Sequence, residues 1–266
     1  MNRVFFFDID GTLYRPPIGI PLPVVEALKR LRKQGDYVFF STGRTRPSIE
    51  PEFKMIDYDG YVGGNGSTVV MHGQELLNLT IKNDLVQKII ECTDRAGYEY
   101  VLEGNKSIYS DAKDANTPLF SYSFYKNLLG DDMKSPKEET PQVNKLSIIL
   151  NNNPFDKTFY SSVLDRVSMV EHKNLCVEMA PKYCTKATGA ALVLKVLGLK
   201  AENCYAFGDS LNDLDILDFA GTSVAMGDAP DEAKAKATYI TDTLESNGIC
   251  CALDTLGIWD ESTACE

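Results

Sequence analysis

The chain has 266 residues, enough for one large domain or two smaller ones with a sizeable core. Its net charge of −11 argues against a nucleic-acid partner or an anionic membrane, because both need basic patches on the protein. The 7 cysteines include no C-x-x-C pair, which suits a reducing compartment. The sequence shows neither a signal peptide nor an apolar run of membrane-spanning length, so we expect a cytoplasmic protein without membrane contact. It does not indicate an oligomeric state.

Both ends of the chain show strands that alternate with helices. Val4–Phe7 is an apolar run without alternation, which predicts a strand buried on both faces of a parallel sheet. A helix with apolar residues from Val24 to Leu31 and a strand at Tyr37–Ser41 follow. Towards the other end we predict helix, strand, helix, strand and helix at Ala187–Leu197, Cys204–Phe207, Asn212–Phe219, Ser223–Met226 and Asp231–Ala237. This order predicts an α/β fold with a doubly wound parallel sheet.

The middle of the chain has a different pattern, with consecutive strands joined by short turns. We predict strands at Tyr98–Leu102, Ser107–Ser110, Leu146–Leu150, Ser168–Glu171 and Leu175–Met179. Helices are expected at Asp84–Ala96, near Leu119–Leu128 and at Phe155–Leu164. This pattern favours an antiparallel α+β module inserted into the α/β core. We therefore expect a core domain made of residues 1–80 and 182–266, and an inserted domain made of residues 81–181.

Three polar clusters follow predicted strands of the core, namely Asp8–Thr12, Ser41–Arg44 and Gly208–Asp213. In open α/β sheets, ligands bind at the carboxyl ends of the strands, so these clusters can converge on one small site. Such a site combines carboxylates, hydroxyls and glycines from separate strand ends.

The residue types at these strand ends suit phosphoryl transfer. Asp8 and Asp209 offer the hard oxygen ligands that Mg²⁺ prefers, and a free Asp8 carboxylate can attack phosphorus to form an aspartyl-phosphate. Asp10 can act as acid and base on the leaving oxygen and the attacking water if a turn begins there, which Gly11 allows. Thr42 and nearby backbone N–H groups can hold the transferring oxygens.

These motifs, together with Lys186, resemble the four motifs of the haloacid dehalogenase (HAD) superfamily. The insertion between the second motif and the lysine is similar to the C2B-type cap of the Cof-like subclass IIB sugar-phosphate phosphatases. The resemblance implies a Rossmann-like core, Asp8 as nucleophile and Asp10 as acid/base. It implies Mg²⁺ bound by Asp8, the Asp10 carbonyl and Asp209, with Asp213 supporting the metal site. The expected phosphate- and substrate-binding residues are Thr42, Gly43, Arg44, Lys186 and Asn212.

Several alternatives remain open at this point. Asp209, Asn212 and Asp213 can instead cap a helix, and Arg44 can be a solvated loop charge. Asp228 stands where Cof-like proteins commonly carry Asn, and its effect on the site is not indicated. We expect a Mg²⁺-dependent phosphatase for small phosphorylated metabolites, with sugar phosphates as the first candidates. A phosphomutase of similar fold and a non-catalytic sensor of a phosphorylated ligand are the alternatives.

Overall fold

The computed structural model describes residues 2–49, 53, 56–110, 133–137 and 139–259. The helix predicted near Leu119–Leu128 lies outside these residues. Over the described ranges, no helix is both long enough and apolar enough to cross a membrane.

The described residues form strands that belong to two separate sheets. In chain order the strands are β1 Val4–Phe7, β2 Tyr37–Ser41, β3 Gly60–Gly63, β4 Thr68–Met71, β5 Gln74–Asn78, β6 Glu99–Glu103, β7 Ile108–Tyr109, β8 Lys145–Ile149, β9 Val167–His172, β10 Cys176–Pro181, β11 Cys204–Gly208, β12 Thr222–Ala225 and β13 Tyr239–Ile240. The α-helices are α1 Leu22–Lys33, α2 Arg46–Ile49, α3 Asn83–Ala96, α4 Lys186–Leu197, α5 Leu214–Phe219, α6 Asp231–Lys236 and α7 Gly248–Thr255.

The central sheet has eight strands in the order β13-β12-β11-β1-β2-β3-β4-β5. The strands from β13 to β3 are parallel, while β4 and β5 extend the sheet as an antiparallel edge. Helices α1 and α7 pack against one face, and α4, α5 and α6 pack against the other. Strand β1 is therefore buried on both sides, which explains its unbroken apolar sequence. The predicted α/β fold with a doubly wound, mostly parallel sheet is confirmed.

The second sheet has five antiparallel strands in the order β7-β6-β8-β10-β9. One face packs on α3 through side chains such as Leu146, Ile148 and Val177. The alternation of strand side chains places Lys145 and Glu178 on the opposite face. The strands predicted for this part of the chain are present, within a few residues of their expected bounds. The division of the chain into domains at residues 80/81 and 181/182 stays a prediction.

Two helix predictions need correction. The helix predicted at Phe155–Leu164 is wrong, because this stretch forms only short 3-10 turns at Lys157–Tyr160 and Leu164–Arg166. Asp156 Oδ1 accepts hydrogen bonds from the backbone N–H and the hydroxyl of Thr158, and such side-chain bonds compete with a regular helix. The helix predicted at Asn212–Phe219 begins with a 3-10 turn and becomes α-helical only at Leu214.

Strands β3 to β5 and strand β13 were not predicted from the sequence. Strand β3 is short and has glycine at both ends, a composition that indicates a turn rather than a strand. At Gly60 a Cβ would lie 2.0 Å from the carbonyl oxygen of Val70, so the close approach of β4 requires glycine there.

Candidate active site

The site is built around the contact between Asp8 and Lys186. Asp8 directly follows β1, and its backbone N–H continues the pairing with β11 by donating to the carbonyl of Phe207 at 2.9 Å. Lys186 is the first residue of α4, and its Nζ donates to Asp8 Oδ1 at 2.7 Å. The same amine donates to Asp213 Oδ1 at 2.6 Å and to Asn212 Oδ1 at 3.0 Å. Lys186 and Asp8 are both buried, so this lysine joins two of the predicted motifs inside the protein.

Two more carboxylates come from the loop after β11. Asp209 Oδ1 accepts a hydrogen bond from the hydroxyl of Thr12 at 2.7 Å. Asp213 Oδ2 accepts from the backbone N–H groups of Asp209 at 3.1 Å and Ser210 at 3.0 Å. One carboxylate oxygen from each of Asp8, Asp209 and Asp213 lies within 4.8 Å of the others. The strand ends of β1 and β11 therefore converge as the sequence indicates.

This cluster has more acidic than basic side chains, since the buried Asp8 and Asp213 and the partly buried Asp209 surround one lysine. Burial raises the pKa of Asp8 well above its usual value, although Lys186 opposes this effect. Burial, and then the charge of Asp213, raises the pKa of Asp209 to about 7. Burial lowers the pKa of Lys186, but Asp213 and Asp8 outweigh it, so that this pKa lies above its usual value.

The donor set fits a divalent cation. Hard oxygen ligands from carboxylates suit Mg²⁺, and a cation would compensate the excess negative charge. The oxygens of Asp213 already accept bonds from Lys186 and from two backbone N–H groups. Asp8 and Asp209 are therefore the better candidates for direct ligands, with Asp213 as a supporting residue.

Gly11 shapes the turn that carries Asp10. Its φ of +99° lies in the region that favours glycine. A Cβ at this position would lie only 2.2 Å from Asp209 Oδ2, so no other residue fits without moving that carboxylate. The turn is closed by hydrogen bonds from the N–H groups of Leu13 and Tyr14 to the carbonyl of Ile9.

Arg44 contacts Asp10 through two charged hydrogen bonds. Its Nε and Nη2 donate to the two carboxylate oxygens of Asp10 at 2.8 and 2.6 Å. The guanidinium also donates to the carbonyl of Ser48 and lies 5.4 Å from the ring centres of Tyr14 and Phe53. Arg44 is 5% exposed, so its reading as a solvated loop charge is wrong. Its predicted contact with phosphate or substrate stays a prediction.

Gly43 lies where polar side chains from three parts of the molecule meet. A Cβ at Gly43 would be 3.2 to 3.3 Å from Asn65 Oδ1, Asn212 Nδ2 and Glu178 Oε1. The preceding residue, Thr42, is buried, and its hydroxyl accepts a hydrogen bond from the backbone N–H of Arg44 at 3.1 Å. The structure thus brings the second-strand motif next to Asn212.

Asn65 and Glu178 belong to this neighbourhood although the motif analysis did not select them. Asn65 Nδ2 donates to Glu178 Oε2 at 2.8 Å, which joins the central sheet to the second sheet. Both residues line a cavity of about 160 Å³ together with Lys186 and Asn212. One signal was present in the sequence: Glu178 interrupts the apolar strand Cys176–Ala180, where a charge needs a buried partner.

Comparisons with known proteins identify the family of the chain. The family described as haloacid dehalogenase-like hydrolase matches residues 5–253. The chain is 25% identical over 265 residues to YkrA of Bacillus subtilis (strain 168), named as a candidate phosphatase, covering 97% of this chain and 98% of that protein. It is 26% identical over 251 residues to the HMP-PP phosphatase of Shigella flexneri serotype 5b (strain 8401), covering 90% of this chain and 89% of the relative.

Solved structures extend the likeness to the whole fold. The solved structure of the HAD subclass IIB sugar phosphatase BT4131 matches with a TM-score of 0.79 and 23% identity. The match covers 97% of this chain and 100% of the other, so both sheets are included. At 23% identity, this match supports the fold alone.

Proposed function

The chain belongs to the haloacid dehalogenase-like hydrolases, as its four motifs predict, and on that premise we propose a Mg²⁺-dependent phosphatase with Asp8 as its nucleophile. That the protein is an enzyme of the phosphatase type follows from the family and from the names of its relatives. The observation that carries the proposal is the buried contact of Asp8 with Lys186 beside Asp209 and Asp213. The substrates proposed are small phosphorylated metabolites.

In the proposed reaction, Asp8 attacks phosphorus with one carboxylate oxygen. The bond between phosphorus and the leaving oxygen breaks, and that oxygen takes a proton from Asp10. A water molecule then gives a proton to Asp10 and attacks phosphorus, which breaks the bond to Asp8 and releases phosphate. Atoms and protons balance over the two steps, and Asp8 and Asp10 return to their starting states.

The neighbours of these two carboxylates have distinct roles in the proposal. Lys186 orients Asp8 and offers positive charge to the phosphate oxygens. Arg44 donates to both carboxylate oxygens of Asp10 and so orients this side chain; Asp10 gives up one of these two bonds when that oxygen carries the proton for the leaving group. Thr42, Gly43 and Asn212 complete the proposed phosphate-binding residues.

Asp8 and Asp209, with the Asp10 carbonyl, are proposed to hold Mg²⁺, and Asp213 to support them. When bound, the ion offsets the repulsion between an anionic nucleophile and an anionic substrate. The excess of buried carboxylates over lysine in the described site supports this assignment.

The leaving group is proposed to lie between the two sheets, where Asn65 and Glu178 meet. Sugar phosphates are the first candidates, as the sequence predicts. Among similar proteins, one is named for HMP-PP and another for sugar phosphates, so the substrate panel must include both classes.

Substitution of the nucleophile tests the proposal. We expect Asp8→Asn to lower the release of phosphate from p-nitrophenyl phosphate with Mg²⁺ by roughly 10⁴-fold or more, because the amide cannot form the covalent intermediate. The matched control is Asp36→Asn, which alters another buried, ion-paired carboxylate. Asp36 directly precedes β2, so it lies at the opposite ends of the parallel strands from Asp8. This control should keep its kcat.

Two results would contradict the proposal. If Asp8→Asn retains turnover, another group is the nucleophile. If wild type and Asp8→Asn both bind phosphate esters and neither releases phosphate, the protein is a sensor and the catalytic assignment fails.

A further inference from the structure

A line of hydrogen bonds joins the second sheet to the amine of Lys186. Glu178 Oε2 accepts from Asn65 Nδ2 at 2.8 Å, and Asn65 Oδ1 accepts from Asn212 Nδ2 at a longer 3.4 Å. Asn212 Oδ1 in turn accepts from Lys186 Nζ at 3.0 Å. The line begins on β10 and ends at the residue that contacts the proposed nucleophile.

The two ends of this line determine the direction of both asparagine amides. A carboxylate can only accept hydrogen bonds and an ammonium group can only donate them. Asn65 must therefore turn its NH₂ group towards Glu178, which leaves its carbonyl oxygen for Asn212. Asn212 must then present its own carbonyl oxygen to Lys186. Either amide, if flipped, would place two donors or two acceptors against each other.

Glu178 is held in its ionised state by Lys145, which is buried, and by His172, which is partly buried. Lys145 Nζ donates to Glu178 Oε1 at 2.6 Å, and His172 Nε2 lies 3.4 Å from Glu178 Oε2. Burial raises the pKa of Glu178, but Lys145 and His172 outweigh it, so the pKa lies well below its usual value. The carboxylate of Glu178 is therefore ionised at neutral pH and only accepts hydrogen bonds.

Asn65 is also fixed from the side of the central sheet. Its backbone has a φ of 52°, in the left-handed region, and its N–H donates to the carbonyl of Thr42 at 3.2 Å. A Cβ at Gly66 would lie 2.0 Å from the carbonyl oxygen of Thr185, the residue before Lys186. The turn that carries Asn65 is thus packed against the start of α4.

We propose that Glu178 is a positioning residue for phosphate binding, acting through Asn65 and Asn212 on the amine of Lys186. A carboxylate would repel a phosphate group, so Glu178 acts on the site indirectly rather than as a phosphate ligand. A shift of the second sheet would therefore change the position of the Lys186 amine at the phosphate site. This inference rests on the proposed function, because it takes Lys186 as a phosphate-binding group.

The test compares two buried carboxylates that share one lysine. Glu178→Gln removes the acceptor-only end of the line, and we expect the Kd for inorganic phosphate with Mg²⁺, measured by calorimetry, to rise by about 5- to 20-fold. The matched control is Glu103→Gln, since Glu103 lies 2.9 Å from Lys145 Nζ and accepts from Ser147 within the second sheet. Glu103→Gln should change the melting temperature but leave the Kd for phosphate unchanged.

A second variant tests the route through Asn65. We expect Asn65→Gly, which suits the left-handed backbone at this position, to weaken phosphate binding as much as Glu178→Gln, and the double variant to be no weaker than Asn65→Gly alone. If Glu178→Gln does not fold, Asn65→Gly provides the test, since it leaves the ion pairs of the second sheet intact. An unchanged Kd in the folded variants, or additive losses in the double variant, overturns the inference.

The outcome also separates this inference from the proposed function. A wild-type protein that binds phosphate but shows no turnover contradicts only the proposed hydrolysis, and the Kd values still decide the role of Glu178. A wild-type protein that does not bind phosphate with Mg²⁺ overturns both.

Discussion

Within the described residues, one cluster of charged side chains lies at the strand ends of the central sheet and another lies in the second sheet, and the two differ in their balance of charge. The cluster at the ends of β1 and β11 sets Asp8, Asp209 and Asp213 against a single lysine. The cluster in the second sheet sets Glu103 and Glu178 against one lysine, with a histidine beside Glu178. Most of these side chains are buried, with Asp209 and His172 partly buried, so their charges interact strongly.

The pKa shifts in the two clusters have opposite directions. In the central sheet, burial raises the pKa of Asp8 and Asp209, so these carboxylates are poorly compensated as they stand. In the second sheet, Lys145 and His172 outweigh burial and lower the pKa of Glu178. The difference separates a site suited to a further cation from a cluster already satisfied by its own residues. It supports the proposed ligand binding at the first cluster and the proposed positioning role of the second.

Removing the central lysine from each cluster tests this difference most strongly. Lys186→Met and Lys145→Met should each lower the free energy of unfolding by about 3–5 kcal/mol, because each leaves buried carboxylates without their partner. Mg²⁺ should restore part of the lost stability to Lys186→Met and none to Lys145→Met, since only the first cluster has ligands arranged for the ion. Chemical unfolding with and without Mg²⁺ measures both effects. Equal responses to Mg²⁺ would remove the proposed distinction.

Neutralising one carboxylate of the central cluster should stabilise the metal-free protein. A carboxylate with a raised pKa destabilises the folded state once it ionises, so the metal-free wild type should lose stability as the pH rises from about 4 to about 7. Asp209→Asn should flatten this slope and raise the free energy of unfolding at pH 8 by about 1–2 kcal/mol. Thermal unfolding in EDTA across this pH range measures the change.

The same variant, Asp209→Asn, also tests the role of this carboxylate in catalysis. Asp209→Asn should lower kcat with Mg²⁺ by roughly 10²-fold or more, since it removes a proposed ligand of the ion. A variant that is both less stable without metal and fully active would show that Asp209 has a structural role only.

The smallest effect is expected at Asp228, the position where Cof-like proteins commonly carry Asn. Arg15 Nη2 lies 2.6 Å from Asp228 Oδ2, and its Nη1 lies 2.9 Å from Glu245 Oε1. The pair is about one-third exposed, and ion pairs of this kind contribute about 0–1 kcal/mol. Asp228→Asn should change stability within that range and kcat/KM by less than about twofold. A tenfold change in kcat/KM would show that the Asp228 charge reaches the substrate or the metal.

Much of the site was predictable because its residues directly follow buried strands. Asp8 follows β1, Thr42 follows β2 and Asp209 follows β11, and parallel strands end at the same edge of a sheet. Local sequence therefore predicted which side chains would meet, even without their distances. The pairing of Arg44 with Asp10 was not predicted, because an ion pair between two loops depends on where both loops travel.

The sequence alone determined the α/β class, the strand-end motifs and the residues proposed for chemistry, because these depend on local patterns and on the common edge of parallel strands. Only the tertiary structure revealed the contact between Glu178 and Asn65, since these residues lie 113 positions apart in the chain. The balance of charge in the two clusters was likewise decided by packing. Burial and neighbouring charges set the pKa of each carboxylate, and neither can be read from its place in the chain.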